Sequence, residues 1–475
     1  MSLPETSAEV LERIASIRAR QTMHAPAVAA TGARERRDKL LRLEQAVLAR
    51  RKAIRDAVWS DFRKPPDEVD LTEIYATVTE SRHVRRNLAK WMKPRRAATP
   101  MNFIGSRGWI VPEPRGCVLV ISPWNFPLML ALGPVISAVA AGNCVVVKPS
   151  ELTPATSALV REILAEVFVE DEVAVFEGDA SVSQALLRER WNHIFFTGST
   201  SIGRVVMRAA AEHLCPVTLE LGGKSPAIVE AATDLDEAAK KLVWGKFSNG
   251  GQVCISPDYI LVEQKAEAAL LEKMKAEIAL RYAKESGENA PIASVIDERH
   301  FRRLSVLIDG AVADGAQLVT SGERDAKTRH LPPTILRNVA PRSAIMEEEI
   351  FGPVLPVLTW ERLEDAVRFV SDREPPLALY VFSRDRRIVE TVLRGTRAGT
   401  TSINDTVIHF THPNLPFGGF MESGFGRAHG KAGFDTFSNL RSVFEQPLKF
   451  GTMSLFYPPY TPLVRKLIDF ALRWL

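Results

Sequence analysis

The chain has 475 residues, 46% hydrophobic and 25% charged, enough to bury the cores of about three ordinary globular domains. Its net charge is +4, from 61 basic and 57 acidic residues, which carries no nucleic-acid signature and excludes a nucleic-acid partner from the expectations. The basic excess lies early: residues 1–100 hold 21 Lys and Arg against 13 Asp and Glu, as solvated faces of helices do.

The opening segment MSLPETSAEVLERIASIRARQ carries acidic residues and early charge, which argues against a secretory leader. No apolar run reaches 18 residues, so no membrane span is expected. Cys117, Cys144, Cys215 and Cys254 show neither CxxC nor metal-ligand spacing, which suits a reducing, cytoplasmic compartment. Residues 7–20, 33–62 and 71–93 place apolar positions at helical spacing. From Arg115 the texture changes. RGCVLVISPW, GNCVVVKPS and NHIFFTGS are short apolar runs that each end in a turn, with helical patterns at 128–141 and 154–168 between them. Near-continuous apolar strands alternating with helices predict a doubly wound α/β sheet. A second α/β alternation runs from Ser225 to Asn404, with apolar runs at Tyr259–Val262 and Leu377–Phe382. Helical pattern is scarce from Thr406 to Gly426.

The last 13 residues, LVRKLIDFALRWL, form an amphipathic pattern: at about 100° per residue, Arg465, Lys466, Asp469 and Arg473 share one arc. Such a helix is roughly 20 Å long, too short to cross a bilayer. Packing on its own or a partner subunit is the plain reading. Contact with a membrane surface, or a cover over a greasy substrate mouth, is the sharper one.

Two stretches carry most of the chemistry. VTLELGGK (Val217–Lys224) sets Glu220 before a Gly-Gly turn, and FSNGGQVC (Phe247–Cys254) ends a glycine-containing loop on the Cys254 thiol. A thiol nucleophile with one general base is a minimal kit for covalent chemistry on a carbonyl carbon. In IFFTGSTSIGRVVM, Gly198 and Gly203 bracket a strand-to-helix turn that is neither a GxGxxG fingerprint nor a P-loop; nucleotide contact and a plain tight connection both stay open. In VVVKPSELTP, Lys148 leaves a strand at its carboxyl end and Glu151 follows, suited to a ribose diol or to a surface ion pair. In ISPWNFP, the Asn125 amide can donate to an oxyanion, while Trp124 and Phe126 read as packing. His409 and His412 lack a third ligand, and His429 reads as a hydrogen-bonded loop residue; no metal is assigned.

SPWNFP, KPSELTP, FTGSTSIG, LELGGKSP, GQVCISPDY, EEEIFGPV and LPFGGFMESGFGRAHGKAGFDTFSNLRSV occur in an order that resembles aldehyde dehydrogenases, from about residue 70 to 445. The ending HGKAGFDTFSNLRSV, the PDY after the cysteine and the short N-terminus resemble the class 3 branch, with its fatty, aromatic and coniferyl aldehyde dehydrogenases. The resemblance implies Cys254 as nucleophile, Glu220 as the base for the deacylating water, and Asn125 with the Cys254 N–H as oxyanion donors. It implies Lys148 and Glu151 at the adenine ribose, Gly198, Ser199 and Gly203 on the cofactor loop, and Glu349 and Phe351 around the nicotinamide ribose. The implied cofactor is NAD, favoured over NADP by the Glu151 carboxylate, with NADP as the alternative because class 3 relatives often accept both.

The implied fold is a doubly wound cofactor domain (1–88 and 109–221), an α/β catalytic domain (222–404), and a small β bridging arm (89–108 and 405–445) that builds a homodimer. Residues 446–475 follow as an extension. The expected reaction oxidises medium- or long-chain aliphatic aldehydes, or aromatic ones, to acids through a Cys254 thiohemiacetal and thioester. A cysteine acyl hydrolase or transferase without redox, and a non-catalytic binding protein, are the alternatives. Phe420, Met421 and Glu422 replace the small residues usual after PFGG, and bulk there is expected to reshape a substrate mouth.

Overall fold

The computed structural model describes residues 6–282, 292–447, 454 and 456–474. Three sheets organise the chain. The first has six strands in the order Gly424–Phe425, Val217–Glu220, His193–Thr197, Cys117–Ile121, Cys144–Lys148 and Val173–Val175. All neighbours are parallel except the short Gly424–Phe425, which runs antiparallel with Gly424 opposite Glu220. Strands Cys117–Ile121, Cys144–Lys148 and His193–Thr197 are buried at every position, which is why they read as unbroken apolar runs.

Helices cover both faces. Ala33–Ala49, Arg51–Phe62, Tyr75–Trp91, Met129–Ala141 and Pro154–Val167 close one core around Val118, Val120, Val145 and Val147. Ala8–Ala29 lays Ile14 and Ile17 against Leu119 and Val146 on the other face. The chain moves from Cys117–Ile121 outward to one side, then returns to His193–Thr197 and builds the other, so the strand order reverses between these two strands.

The second sheet has seven strands, ordered Gln317–Thr320, Thr334–Arg337, Val354–Trp360, Tyr259–Glu263, Pro226–Val229, Ala378–Phe382 and Thr400–Ile403. It is parallel apart from its first pair. The third is an antiparallel set, Arg95–Arg96, Arg107–Pro114 and Ser438–Glu445. Segment 405–445 therefore serves two sheets, through Gly424–Phe425 in the first and Ser438–Glu445 in the third. The closing pattern forms the helix Pro462–Trp474, none of whose residues is buried. Among the described residues, no helix is long and apolar enough to cross a membrane.

Candidate active site

A cleft of about 1060 Å³ opens where the six-stranded order reverses. Open α/β sheets bind ligands there because loops from neighbouring strands diverge and leave a crevice. The loop after Cys117–Ile121 contributes Pro123, Trp124 and Asn125, and the loop after His193–Thr197 contributes Gly198 to Ser201. Val217–Glu220 contributes Glu220 itself, followed by Leu221 and Gly222. The helix Thr200–Ala211 starts at the cleft with Ser199 as its N-cap, so its free N–H groups face an incoming anion.

The seven-stranded domain supplies the opposite wall: Cys254, His300, Arg303, Glu348, Glu349 and Phe351. Asn249, Gly250 and Gly251, ahead of the thiol, all have left-handed backbone, with φ of 54°, 62° and 70°. A Cβ at Gly251 would overlap the carbonyl oxygen of Gly352, so glycine is required for this close approach. Gln252 locks the turn: its amide donates to the carbonyls of Asn249 (3.0 Å) and Ser294 (3.1 Å) and accepts from the N–H of Ile296 (2.9 Å). The Asn125 amide donates to the Gln252 carbonyl at 3.0 Å, which holds it beside the thiol loop and leaves its second N–H for a ligand.

Both Glu220 carboxyl oxygens are buried without a hydrogen-bond partner. Burial pushes this carboxyl well above its usual range, with only the Arg427 charge in opposition. Burial also raises the Cys254 thiol, helped by the carboxyls of Glu349 and Glu220, while the N–H groups of Cys254 and Ile255 oppose the shift. The resting thiol is thus neutral and needs a base. Glu349 is pushed up to about 8 by burial and then by Asp258. A neutral carboxyl can both donate to and accept from a diol.

A second cavity of about 550 Å³ lies on the far side of the thiol. Met129, Leu130, Pro134, Leu377, Phe410 and Phe417 give it apolar walls. Through Met129, Gly133, Phe410 and His429 it adjoins an outer vestibule that also includes Tyr75, Arg82 and Arg86. Cys254, Glu220, Thr197 and Leu221 line both the cleft and the apolar chamber.

Of the residues singled out by sequence, Cys254, Glu220, Asn125, Gly198, Ser199, Glu349 and Phe351 meet in the cleft. Lys148 and Glu151 sit at the carboxyl end of the next strand and pair at 2.6 Å, the lysine buried and the glutamate exposed. Gly203 lies beneath the cleft, where a Cβ would press into Leu221. One expectation needs correction. Glu422 of the Phe420–Glu422 segment lies on the side of the cleft and not at the apolar chamber: it pairs with Arg204 at 2.5 Å, and its carbonyl accepts from Thr200 Oγ1. His429 stands in the loop before the helix Gly430–Thr436, its carbonyl accepting from the Gly433 N–H at 2.9 Å, and its ring, 4.4 Å from that of Phe410, also forms part of the chamber wall.

Sequence reading missed Phe410 and Phe417, since single aromatics in a glycine-rich loop carry no local signal. It also missed His300, which stacks edge-on to Trp124 and hydrogen-bonds Asp297 at 2.7 Å, and Arg303, which donates to the Glu349 carbonyl at 3.2 Å. A further omission is Lys224, although it stood inside the quoted LELGGK: its ammonium binds Asp258 and the carbonyls of Ile345 and Glu348, fixing the segment that carries Glu349.

A switch-point cleft whose far wall carries a thiol defines a nucleotide-using α/β enzyme class. The sequence matches the aldehyde dehydrogenase family over residues 2–443, and the chain belongs to that family. It is 40% identical over 427 residues to mouse aldehyde dehydrogenase family 3 member A2, spanning 90% of this chain and 87% of that protein. It is 37% identical over 425 residues to the 4,4'-diaponeurosporen-aldehyde dehydrogenase of Staphylococcus aureus, spanning 90% and 92%. The substrate-bound structure of Staphylococcus aureus AldH superposes with a TM-score of 0.91 at 35% identity, over 96% of this chain and 99% of that one. The chain is therefore an NAD(P)-dependent aldehyde dehydrogenase.

Proposed function

We propose that Cys254 is the nucleophile, Glu220 the general base and Asn125 the oxyanion donor in the oxidation of an apolar aldehyde to its acid. The observation that carries this reading is the shared wall: the thiol and the unpartnered carboxyl stand between a polar cleft and an apolar chamber. An aldehyde in the chamber meets the sulfur as the thiol proton passes by way of Glu220 to solvent, and the Asn125 amide and the Cys254 N–H stabilise the oxygen of the thiohemiacetal. A bound nicotinamide supplies a hydride acceptor. Glu220, with both oxygens free, then takes a proton from the water that hydrolyses the Cys254 thioester.

The cleft fits a dinucleotide. Ser199 and the helix N-terminus suit the pyrophosphate, with Gly198 at the turn and Gly203 seating the helix on Leu221. Lys148 and Glu151 hold the adenine ribose, which favours NAD over NADP, and Glu349 and Phe351 hold the nicotinamide ribose. The domain boundaries proposed with this reading are 1–88 with 109–221, 222–404, 89–108 with 405–445, and the 446–475 extension. The open edge strand Ser438–Glu445, with Leu440 and Phe444 exposed, supports a homodimer built through this arm. The hydrolase and binding-protein alternatives are not favoured, because they leave the cleft and the family membership without a purpose.

The chamber's aliphatic and aromatic walls favour long apolar or aromatic aldehydes over short polar ones. Reduction of NAD and NADP with hexanal, dodecanal, hexadecanal, benzaldehyde and coniferaldehyde tests this, with wild type compared to Cys254→Ala. Cofactor reduction is expected to rise with apolar length and to vanish in the variant. Undiminished reduction by folded Cys254→Ala removes the thiol from the reaction.

A further inference from the structure

A buried ionic cluster outside the cleft touches both loops of the oxyanion site. Lys64 and Glu73 are fully buried and pair at 3.2 Å. The Lys64 ammonium also lies 4.1 Å from the ring centroid of Phe126, the residue after Asn125. The second oxygen of Glu73 accepts from the N–H of Met129 at 2.9 Å, where the helix following Asn125 begins. Glu68, five residues before Glu73, accepts the N–H of Asn249 in the thiol loop. Burial raises the Glu68 carboxyl, and the Lys64 charge counteracts it, so the two lie within electrostatic reach. Glu68 stands in the turn Pro66–Val69 and Glu73 in the π-helical turn Asp70–Ile74 that continues it.

Asn249 continues the chain of contacts into the site. Its side-chain amide donates to the backbone carbonyl of Asn125 at 2.8 Å and to that of Gln252 at 3.1 Å. The carbonyl of Gln252 is the group that Asn125 itself holds. Burying the Lys64 ammonium with the Glu73 carboxyl carries a large desolvation cost, so such pairs add little stability compared with apolar packing. They do fix direction and register, which apolar packing leaves loose.

We propose that Glu68, which accepts the N–H of Asn249, is a positioning residue for the oxyanion hole, acting through Asn249 on the Asn125 amide. The inference rests on Asn125 being the oxyanion donor. It predicts that Glu68→Ala lets the thiol loop and the Asn125 loop drift, and that Glu68→Gln, which retains an acceptor for the Asn249 N–H, holds them.

The test compares Glu68→Ala, Glu68→Gln, Asn125→Ala and the double variant Asn125→Ala/Glu68→Ala in the full chain, using hexanal and NAD. Alkylation of Cys254 by iodoacetamide serves as a second readout, since it builds no oxyanion. Glu68→Ala is expected to lower kcat about tenfold or more, with KM for NAD and the alkylation rate within about twofold of wild type. Glu68→Gln is expected to recover most of the loss, and Glu68→Ala to cost under about twofold once Asn125 is alanine. Three outcomes overturn the inference while sparing Asn125: normal kcat in Glu68→Ala, no rescue by Glu68→Gln, or losses that multiply in the double variant. Normal turnover of Asn125→Ala instead removes the oxyanion reading, and the inference with it.

Discussion

Glu349 shows how burial turns one carboxyl into a pH-dependent element. In the folded chain it is pushed up to about 8, against 4.5 for the free group. Between those values the folded state holds a proton that the unfolded state has released, so stability falls as pH rises through the window. Buried Lys246, lowered to about 8, is charged in both states through most of the same range and adds little slope there. Glu349→Gln should therefore flatten the loss of thermal stability between about pH 5 and 8, read as unfolding midpoints at each pH. A variant with the wild-type slope would place the proton uptake elsewhere. The carboxyl was legible in EEEIFGPV only as a family match, because its shift depends on Asp258, Lys224 and Lys246, which reach it through tertiary contact. Cys254 and Glu220 were legible for the opposite reason. Each lies in a local run whose glycines are required by the turn beside it, so chemistry and backbone leave a joint mark in the sequence.

At the scale of elements, the same contrast separates the apolar strands from the antiparallel pair that closes the sheet. Cys117–Ile121 and Cys144–Lys148 are buried on both faces, and apolar runs ending in turns announce them. Gly424–Phe425 has no such pattern, because a two-residue strand is specified only by the partner it meets. That partner is Val217–Glu220, and Gly424 faces Glu220 across the ladder with φ of 116°. A Cβ at Gly424 would overlap the carbonyl oxygen of Leu219, and the φ itself disfavours any side chain. Gly424→Ala should thus cost on the order of 1–3 kcal/mol of stability and loosen the strand that carries Glu220, the proposed base. Denaturant unfolding gives the first quantity, and the rate of thioester hydrolysis after a single turnover gives the second. A stable variant with normal deacylation would show that this pairing does not orient Glu220. The Glu68–Asn249 link belongs to the same illegible class: 181 residues separate its partners, and neither stands in a pattern that names the other.

Across the whole molecule, Pro462–Trp474 is a long helix with no fully buried residue among those described. Leu463, Phe470 and Trp474 recur at helical spacing and are 68%, 59% and 76% exposed, beside the cations Arg465, Lys466 and Arg473. An apolar stripe flanked by cations lies in an interfacial plane, with the rings among acyl chains and the charges at anionic headgroups. The helix is about 20 Å long, so it would rest on a bilayer and not cross it. The chamber favours apolar aldehydes, whose partition into lipid would make a surface-bound enzyme meet its substrate where it is concentrated. If the tail serves as such an anchor, its attachment is reversible and depends on charge. The full chain should sediment with vesicles containing anionic lipid, weakly with neutral ones, and a chain ending at residue 445 should remain in the supernatant. Salt should weaken the association, since headgroup attraction is screened within about 10 Å at 0.1 M. If the truncated chain sediments equally, the tail is not the anchor. If it stays unbound and its solution mass falls from a multiple of the chain mass to that of one chain, the stripe serves a subunit interface instead.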